Sequence, residues 1–463
     1  MRNWNLPSHF KPSLAALVVA GTMVLLRPVA PAAQVSLSLS DAIQLSLENN
    51  EQYRSVLQEQ ERARQRIKEA RAGILPEVRF DASYTRVFEL PTSVFSITDE
   101  ATGQTTTNVL KFGTRYNAAW GLSVEQSLWE GGKVLAAWSA ARNYRHMTDA
   151  SSRQAGIDLQ SYVARTFLNA SLARRLVAVA EQTLTVAEEN LAVVGQKYTQ
   201  GLVSEYDFLR AQVRVANLRP SVIEARNRRE LADSQLRTII GIEPGVSLEL
   251  VESEPDSSDW EQIALDELVS KANERRPDLA ASEYEVNILK DNLRAAKADY
   301  WPALKLLGNV DWQIQTDDFG LPYDDRTRSW QGMLTLSYPI FDGFRRSGTV
   351  GVAKVDLSQA RLRRQELTKR VALEIEQARN SFLDATERLH AQEETVGQAE
   401  RGLAIANVRY ESGVGTQLEV LDAQLELTTA RINAETARHD RLVARAEWRR
   451  AMGEPVITSL AAN

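Results

Sequence analysis

Glu419 and Asp422 stand three residues apart in the run Glu419-Val420-Leu421-Asp422. On a helix that spacing places both carboxylates on one face. A pair of this kind can move protons, attract cations, or serve only as solvated surface. The acid–base option lacks partners. The four histidines, His9, His146, His390 and His439, are scattered, and no metal-ligand pair, nucleophile elbow or phosphate-cradling loop accompanies the carboxylates. The sequence therefore reads as a non-enzyme with no cofactor and no metal site. Asp317-Asp318 and Asp324-Asp325, the other acidic concentrations singled out, read as a solvated loop.

The residues just before the carboxylates have a plainer duty. Gly201 and Gly413 fall where a helix must reverse, a place for φ > 0. Ser204-x-x-Asp207 and Thr416-x-x-Glu419 then fit capping boxes for returning helices, although Asp207 is shorter than the usual Glu or Gln. Capping already gives Glu419 a role, whereas Asp422 lies beyond the first turn and has none.

Composition narrows the setting. The formal charge is −6, with nothing that points to nucleic acid. Cysteine is absent, which excludes disulfides, thiolate metal sites and a lipidated N-terminal cysteine. Arg2 and Lys11, an apolar run from Leu14 to Leu26, and Ala30-Pro31-Ala32-Ala33 read as a signal peptide over 1–33. The run is shorter than the roughly 20 residues of a spanning helix. Cleavage removes Arg2, Lys11 and Arg27, so −6 becomes −9. No later segment is a candidate transmembrane helix, so any route across a bilayer must use strands.

The elements that position these residues are written twice. Leu75-Pro76 returns as Trp301-Pro302 at an offset of 226 (302 − 76). Trp129-Glu130-Gly131-Gly132 returns as Phe341-Asp342-Gly343-Phe344 at an offset of 212 (343 − 131). The second offset still holds where Tyr198, Gly201, Leu209 and Gln212 match Tyr410, Gly413, Leu421 and Gln424. The first copy thus carries a loop longer by 14 residues (226 − 212). Each copy reads as helix, two strands, very long helix, turn, helix. The first repeat is 34–242, with a helix at 39–73, strands at 77–88 and 115–128, and helices at 133–197 and 204–240. The second is 263–455, with a helix at 265–299, strands at 303–315 and 329–341, and helices at 345–409 and 416–452. Residues 243–262 read as a linker and 456–463 as a C-terminal tail.

The strand segments alternate. Val78, Phe80, Ala82 and Tyr84 interleave with Arg79, Asp81, Ser83 and Thr85, and Trp120, Leu122, Val124 and Leu128 with Gly121, Ser123, Glu125 and Ser127. Each strand therefore has one apolar and one polar face. The runs reach the 9–11 residues of a tilted membrane strand, with aromatics near several ends. Four strands cannot close around a lumen, and an open edge in lipid strands backbone groups at several kcal/mol each. Three chains supply 12 strands, enough for a pore. The connections Leu90 to Arg115 and Thr316 to Arg328 become outward-facing loops.

The long helices point the same way. Residues 133–197 lack proline and would span roughly 100 Å. Thr166, Ala170, Ala173, Val177, Ala180, Leu184, Ala187, Leu191, Val194 and Tyr198 step by four and three, and the seam repeats from Ala378 to Tyr410. Rods of this length suit a tubular coiled coil rather than a globule.

Taken together, the repeat, the two residue-Pro junctions, the strand-end glycines, and the motifs Tyr198-x-x-Gly201-x-x-Ser204 and Tyr410-x-x-Gly413-x-x-Thr416 resemble the TolC-like outer-membrane efflux proteins. The resemblance spans Leu39 to Pro455. It implies a mainly α chain with a transmembrane β-barrel: a homotrimer with a 12-stranded barrel in outer-membrane lipid, continuous with a periplasmic helical tunnel. It further implies a channel for efflux or type I secretion, working with a periplasmic adaptor and an inner-membrane pump of RND, ABC or MFS type. By resemblance, Gly201, Leu202, Val203, Ser204, Gly413, Val414, Gly415 and Thr416 become the adaptor-contact turns. Glu419 and Asp422 become a ring of lumenal charge, with Asp207 and Tyr410 in the gate. The family pattern resembles a lock that includes an arginine, and that position is Gly415 here. Arg210, which the repeat aligns with Asp422, is the expected substitute cation. A soluble periplasmic scaffold or adaptor is the alternative, against which the four alternating strands argue.

Overall fold

A computed structural model of the chain describes residues 35–98, 103, 105–243, 245–251, 263–319 and 326–457. The expected signal segment, most of the linker, Asp324-Asp325 and the last residues of the tail lie outside these.

Strand β1 (Val35–Ser38) leads into α1 (Leu39–Asn49) and α2 (Glu51–Ala72). The corresponding pair in the second repeat is α5 (Leu265–Arg275) and α6 (Pro277–Ala298). The single helices expected at 39–73 and 265–299 are therefore each broken, and at repeat-equivalent residues. Asn50 leaves the helix at φ −67°, ψ 118°, and its side chain accepts from the Tyr53 backbone N–H at 2.9 Å, the usual competition of Asn with helix interior. Arg276 takes φ −66°, ψ 121° because Pro277 excludes helical geometry from the residue before it.

The barrel strands are β2 (Glu77–Arg86), β5 (Tyr116–Glu130), β7 (Ala303–Thr316) and β8 (Thr327–Ser337). They form one antiparallel sheet in the order β2-β5-β7-β8. Register turns the alternation into lateral rows. Phe80, Leu122, Val310 and Trp330 form one row, and Ala82, Trp120, Trp312 and Arg328 the next on the same face. The opposite face carries Arg79, Ser123, Asn309 and Gln331, then Asp81, Gly121, Asp311 and Ser329. A bulge between Ser127 and Trp129 corrects one sequence reading: Trp129, not Leu128, pairs with Leu304 and so continues the apolar face. The Thr-rich connection expected between Leu90 and Arg115 contains a hairpin of its own, β3 (Thr92–Thr98) with β4 (Thr105–Lys111). Strand β8 stops at Ser337, short of the expected 341, ahead of Pro339.

The long rods are α3 (Lys133–Thr199) and α7 (Arg345–Glu411), 67 residues each, followed by α4 (Glu205–Ile240) and α8 (Gln417–Ala451). Along the alanine seam Ala170, Val177, Ala187 and Val194 are buried in α3, as are Phe382, Ala385, Leu389 and Ala406 in α7. Helix α3 packs on α4, α2, α6 and α8, and α7 packs on α8 and α6. The helical layer thus runs α4–α3–α8–α7, with α2 and α6 stacked beyond α4 and α8, the same lateral order as the strands they join. Among the described residues β2 and β8 are each paired on one side only.

Part of the expected linker is ordered as β6 (Leu248–Val251), which pairs in parallel with β1. Together with α1 this ribbon covers a core of Leu37, Ile43, Val163, Phe167, Leu236 and Ile240 partway along α3. A second core gathers Leu268, Leu279, Val371, Ile375 and Trp448. Arg276, buried at the break before α6, ties this core together by ion pairs to Asp278 and Glu374, each at 2.8 Å, and a bond to the Ala451 carbonyl.

Candidate functional site

The candidate residues collect at the ends of the rods remote from the sheet, where two short turns reverse the chain. Gly201 has φ 72° and Gly413 φ 78°. In the first turn the Gly201 N–H donates to the Tyr198 carbonyl and Leu202 to Lys197, both at 2.9 Å. In the second, Gly413 donates to Tyr410 at 3.3 Å and Val414 to Arg409 at 3.0 Å. Both are Schellman motifs, which satisfy the last helical carbonyls and need a left-handed residue. The returning helices are N-capped by Ser204 and Thr416, but among the described residues neither has the reciprocal backbone bond of the expected capping box. The Ser204 hydroxyl accepts from the Asp207 N–H at 3.2 Å and donates to its carboxylate at 2.7 Å. The Thr416 hydroxyl accepts from the Glu419 N–H at 3.3 Å.

The structure separates the two carboxylates. Glu419, half-buried, accepts from Arg409 Nε at 3.1 Å across the turn. Asp422 is exposed and has no ion-pair partner among the described residues. It lines a groove between α4 and α8 together with Arg210, Tyr206 and Leu421. Arg210 stacks its guanidinium over Tyr206 at 5.7 Å.

Tyr410 is placed differently. Its hydroxyl is shielded from solvent and has no hydrogen-bond partner among the described residues. Burial pushes the phenol pKa up, and the negative charge of Asp207 adds to the shift. The cation nearest its ring is one that sequence reasoning missed: Lys197 Nζ stands 4.0 Å from the ring centroid, within cation–π range. The signal was in the repeat, since Lys197 aligns with Arg409 at the offset of 212 (409 − 197), and each cation precedes the turn tyrosine. Gly415 also has a steric reason. A Cβ there would lie 2.9 Å from the Arg409 carbonyl carbon and from the Tyr410 nitrogen, both backbone atoms. With this turn geometry a side chain at position 415 would press on the backbone of the preceding helix.

The barrel wall completes the site. On the polar face Lys305 Nζ bonds Glu125 at 2.9 Å, and Arg79 pairs with Glu77 at 2.6 Å. On the other face Phe80, Leu122, Trp330, Leu334 and Leu336 are exposed in the single protomer. Among the described residues no helix is long and apolar enough to cross a membrane.

The family model for outer membrane efflux protein matches residues 42–242 and 268–454, both repeats almost end to end. The chain belongs to the outer membrane efflux protein family. OprJ, an outer membrane protein of Pseudomonas aeruginosa, is 25% identical over 432 residues, covering 90% of this chain and 84% of OprJ. The pyoverdine export outer membrane protein OpmQ of the same species is 26% identical over 393 residues, covering 83% and 78%. The cation efflux system protein CusC of Escherichia coli K12 is 22% identical over 321 residues, covering 69% and 68%. A solved structure of CusC superposes with a TM-score of 0.75 at 20% identity, covering 91% of this chain and 93% of that one. This efflux protein is an outer-membrane channel component of a tripartite efflux system, built as a helical tunnel continuous with a strand barrel. Proteins of its family are trimeric channels that work with periplasmic adaptors and inner-membrane pumps.

Proposed function

We propose that the two turns are the periplasmic gate of this efflux protein and the surface its adaptor meets. Gly201, Leu202, Val203 and Ser204 present one contact loop, and Gly413, Val414, Gly415 and Thr416 the other. Asp422 supplies the lumenal charge: three protomers set three unpaired carboxylates around a narrow opening, which concentrates cations there. Glu419 contributes less, because Arg409 offsets it within the protomer. In the closed tip Lys197 holds Tyr410 near Asp207, and Arg210, stacked on Tyr206, stands in the groove that Asp422 lines without pairing to it. The observation that carries this reading is the contrast between Glu419 and Asp422, one ion-paired and the other exposed without a partner.

In the barrel, the Phe80–Leu122–Val310–Trp330 face turns to outer-membrane lipid and the Arg79–Ser123–Asn309–Gln331 face to water. The unpaired edges β2 and β8 meet those of sister chains. Relatives named for pyoverdine export and for cation efflux match this chain over most of its length. Cargo selection therefore belongs to the inner-membrane pump, whether RND, ABC or MFS type, and drug efflux and type I secretion are both within the duct's reach. Single-channel recording tests the gate. Asp422→Asn is expected to lower cation selectivity clearly and Glu419→Gln only slightly, and an equal effect of the two would overturn the assignment.

A further inference from the structure

The arginines of α8 have an internal control in α4, because the two helices are repeat copies. In α4 each arginine of the stripe lies beside an acid, although Asp233 is shared and pairs more closely with Arg174, at 2.9 Å. Arg226 pairs with Glu181 at 2.7 Å, Arg229 lies 4.0 Å from Asp233, and Arg237 pairs with Glu230 at 2.8 Å. Adding 212 gives Arg438, Arg441 and Arg449, so all three cations are kept. Only the first keeps its acid, Glu393, at 3.7 Å. Asp233 has become Arg445 and Glu230 has become Leu442. The second copy has therefore exchanged two carboxylates for a cation and an apolar side chain.

Those exchanges fall on one cavity of about 290 Å³ between α3, α7 and α8, beside α1 and Val456. Arg438, Arg441, Arg445 and Arg449 line it, and Glu393 is its only acidic lining residue among those described. Its floor is apolar: Phe167, Leu168, Leu389 and Leu442. Arg175 also faces it but is held by Glu435 at 3.0 Å, and Arg449 donates to the Val456 carbonyl at 2.9 Å. Arg441 makes no hydrogen bond or ion pair among the described residues, and its Nε is buried. A buried guanidinium nitrogen without an acceptor is costly, and a carboxylate or phosphate is the acceptor such a fork fits best.

The geometry points to a binding site for a small single-chain amphipathic anion, its carboxylate or phosphate head on Arg441 and its apolar tail over Phe167 and Leu389. The volume sits at the lower end of the roughly 300–1,000 Å³ of small-molecule sites, which admits one short chain rather than a two-chain lipid. The mixed lining favours such a molecule over an acidic peptide. Within the chain the described lining comes from α1, α3, α7, α8 and Val456, and α4 takes no part.

The test is titration of the purified trimer, in a neutral detergent, with hexyl phosphate, inorganic phosphate and hexyltrimethylammonium, read by native mass spectrometry. Saturable uptake of hexyl phosphate, one per protomer, is expected, with the other two probes binding far more weakly. Arg441→Gln should weaken it by about tenfold, the loss of one charge-assisted contact. Arg445→Asp, which restores the first-copy acid, should abolish it. Equal binding of inorganic phosphate, or hexyl phosphate binding unchanged by Arg441→Gln in an intact trimer, would overturn the proposal. Should Arg445→Asp fail to assemble, Arg441→Gln alone decides.

Discussion

Val310 and Asn309 are neighbours in β7 that face opposite sides of the sheet, so exchanging each for arginine separates the two faces with a single chemistry. Val310 lies between Leu122 and Trp330 in its row, and Asn309 between Ser123 and Gln331 in the other. Strand β7 has 14 residues and Val310 is near its middle. At about 3.3 Å per residue and a tilt near 40°, the strand rises ~33 Å, enough to cross an apolar band of about 25 Å with Val310 close to midplane. An arginine on the lipid face there costs about 2–4 kcal/mol per chain, and three chains make that about 6–12 kcal/mol for a trimer. On the water-filled side the same residue costs close to nothing and adds positive charge to the lumen. The assay is the temperature at which the detergent-solubilised trimer dissociates, together with folding yield into liposomes. Val310→Arg should lower both sharply, and Asn309→Arg should spare both while reducing cation conductance. Equal losses from the two variants, or a greater loss from Asn309→Arg, would refute the assignment of faces.

Three further outcomes follow from the tip and from Glu447 in α8. Lys197→Ala should raise the closed-state conductance by releasing Tyr410, whereas Arg210→Ala should act mainly on ion selectivity through Asp422; single-channel recordings of both variants tell them apart. Gly415→Ala forces a Cβ to within 2.9 Å of backbone atoms and should destabilise the tip turn by about 1–3 kcal/mol, seen as faster hydrogen exchange confined to residues 409–419. The last outcome concerns Glu447, which burial pushes up in pKa but which Arg450 and Arg165 hold, on balance, below the ordinary carboxylate value. A carboxylate depressed in the folded state stabilises above its unfolded pKa, near 4.3, and that stability is lost as pH falls through the lower folded value. Thermal stability should therefore fall below about pH 4, and Glu447→Gln should flatten that part of the pH profile while lowering stability at neutral pH.

The repeat carried most of the fold. Because Leu75-Pro76 and Gly131 recur as Trp301-Pro302 and Gly343, element order and the long rods were legible, and alternation assigned the strand faces up to the bulge after Ser127. What escaped depends on local competition. Asn50 and Arg276 each break a helix whose apolar pattern continues across the break, and only the capping preference of Asn and the proline after Arg276 signal it. The β1–β6 ribbon escaped because parallel strands of four residues, 213 apart (248 − 35), leave no alternation long enough to read. At the tip, spacing located Glu419 and Asp422 but could not tell which carboxylate is paired, since that depends on Arg409 reaching across a turn. Lys197 was hidden for a similar reason: its partner Tyr410 lies in the other repeat, and no local pattern links them.

The closure of the barrel by sister chains is tested most directly by reconstituting the purified protein into a planar bilayer and weighing the same preparation in mild detergent. Each chain presents a four-stranded sheet whose edges, β2 and β8, are unpaired among the described residues. A particle of three chains that conducts ions in discrete steps is the predicted result. A stable single chain, or a preparation that inserts and never conducts, would contradict the account.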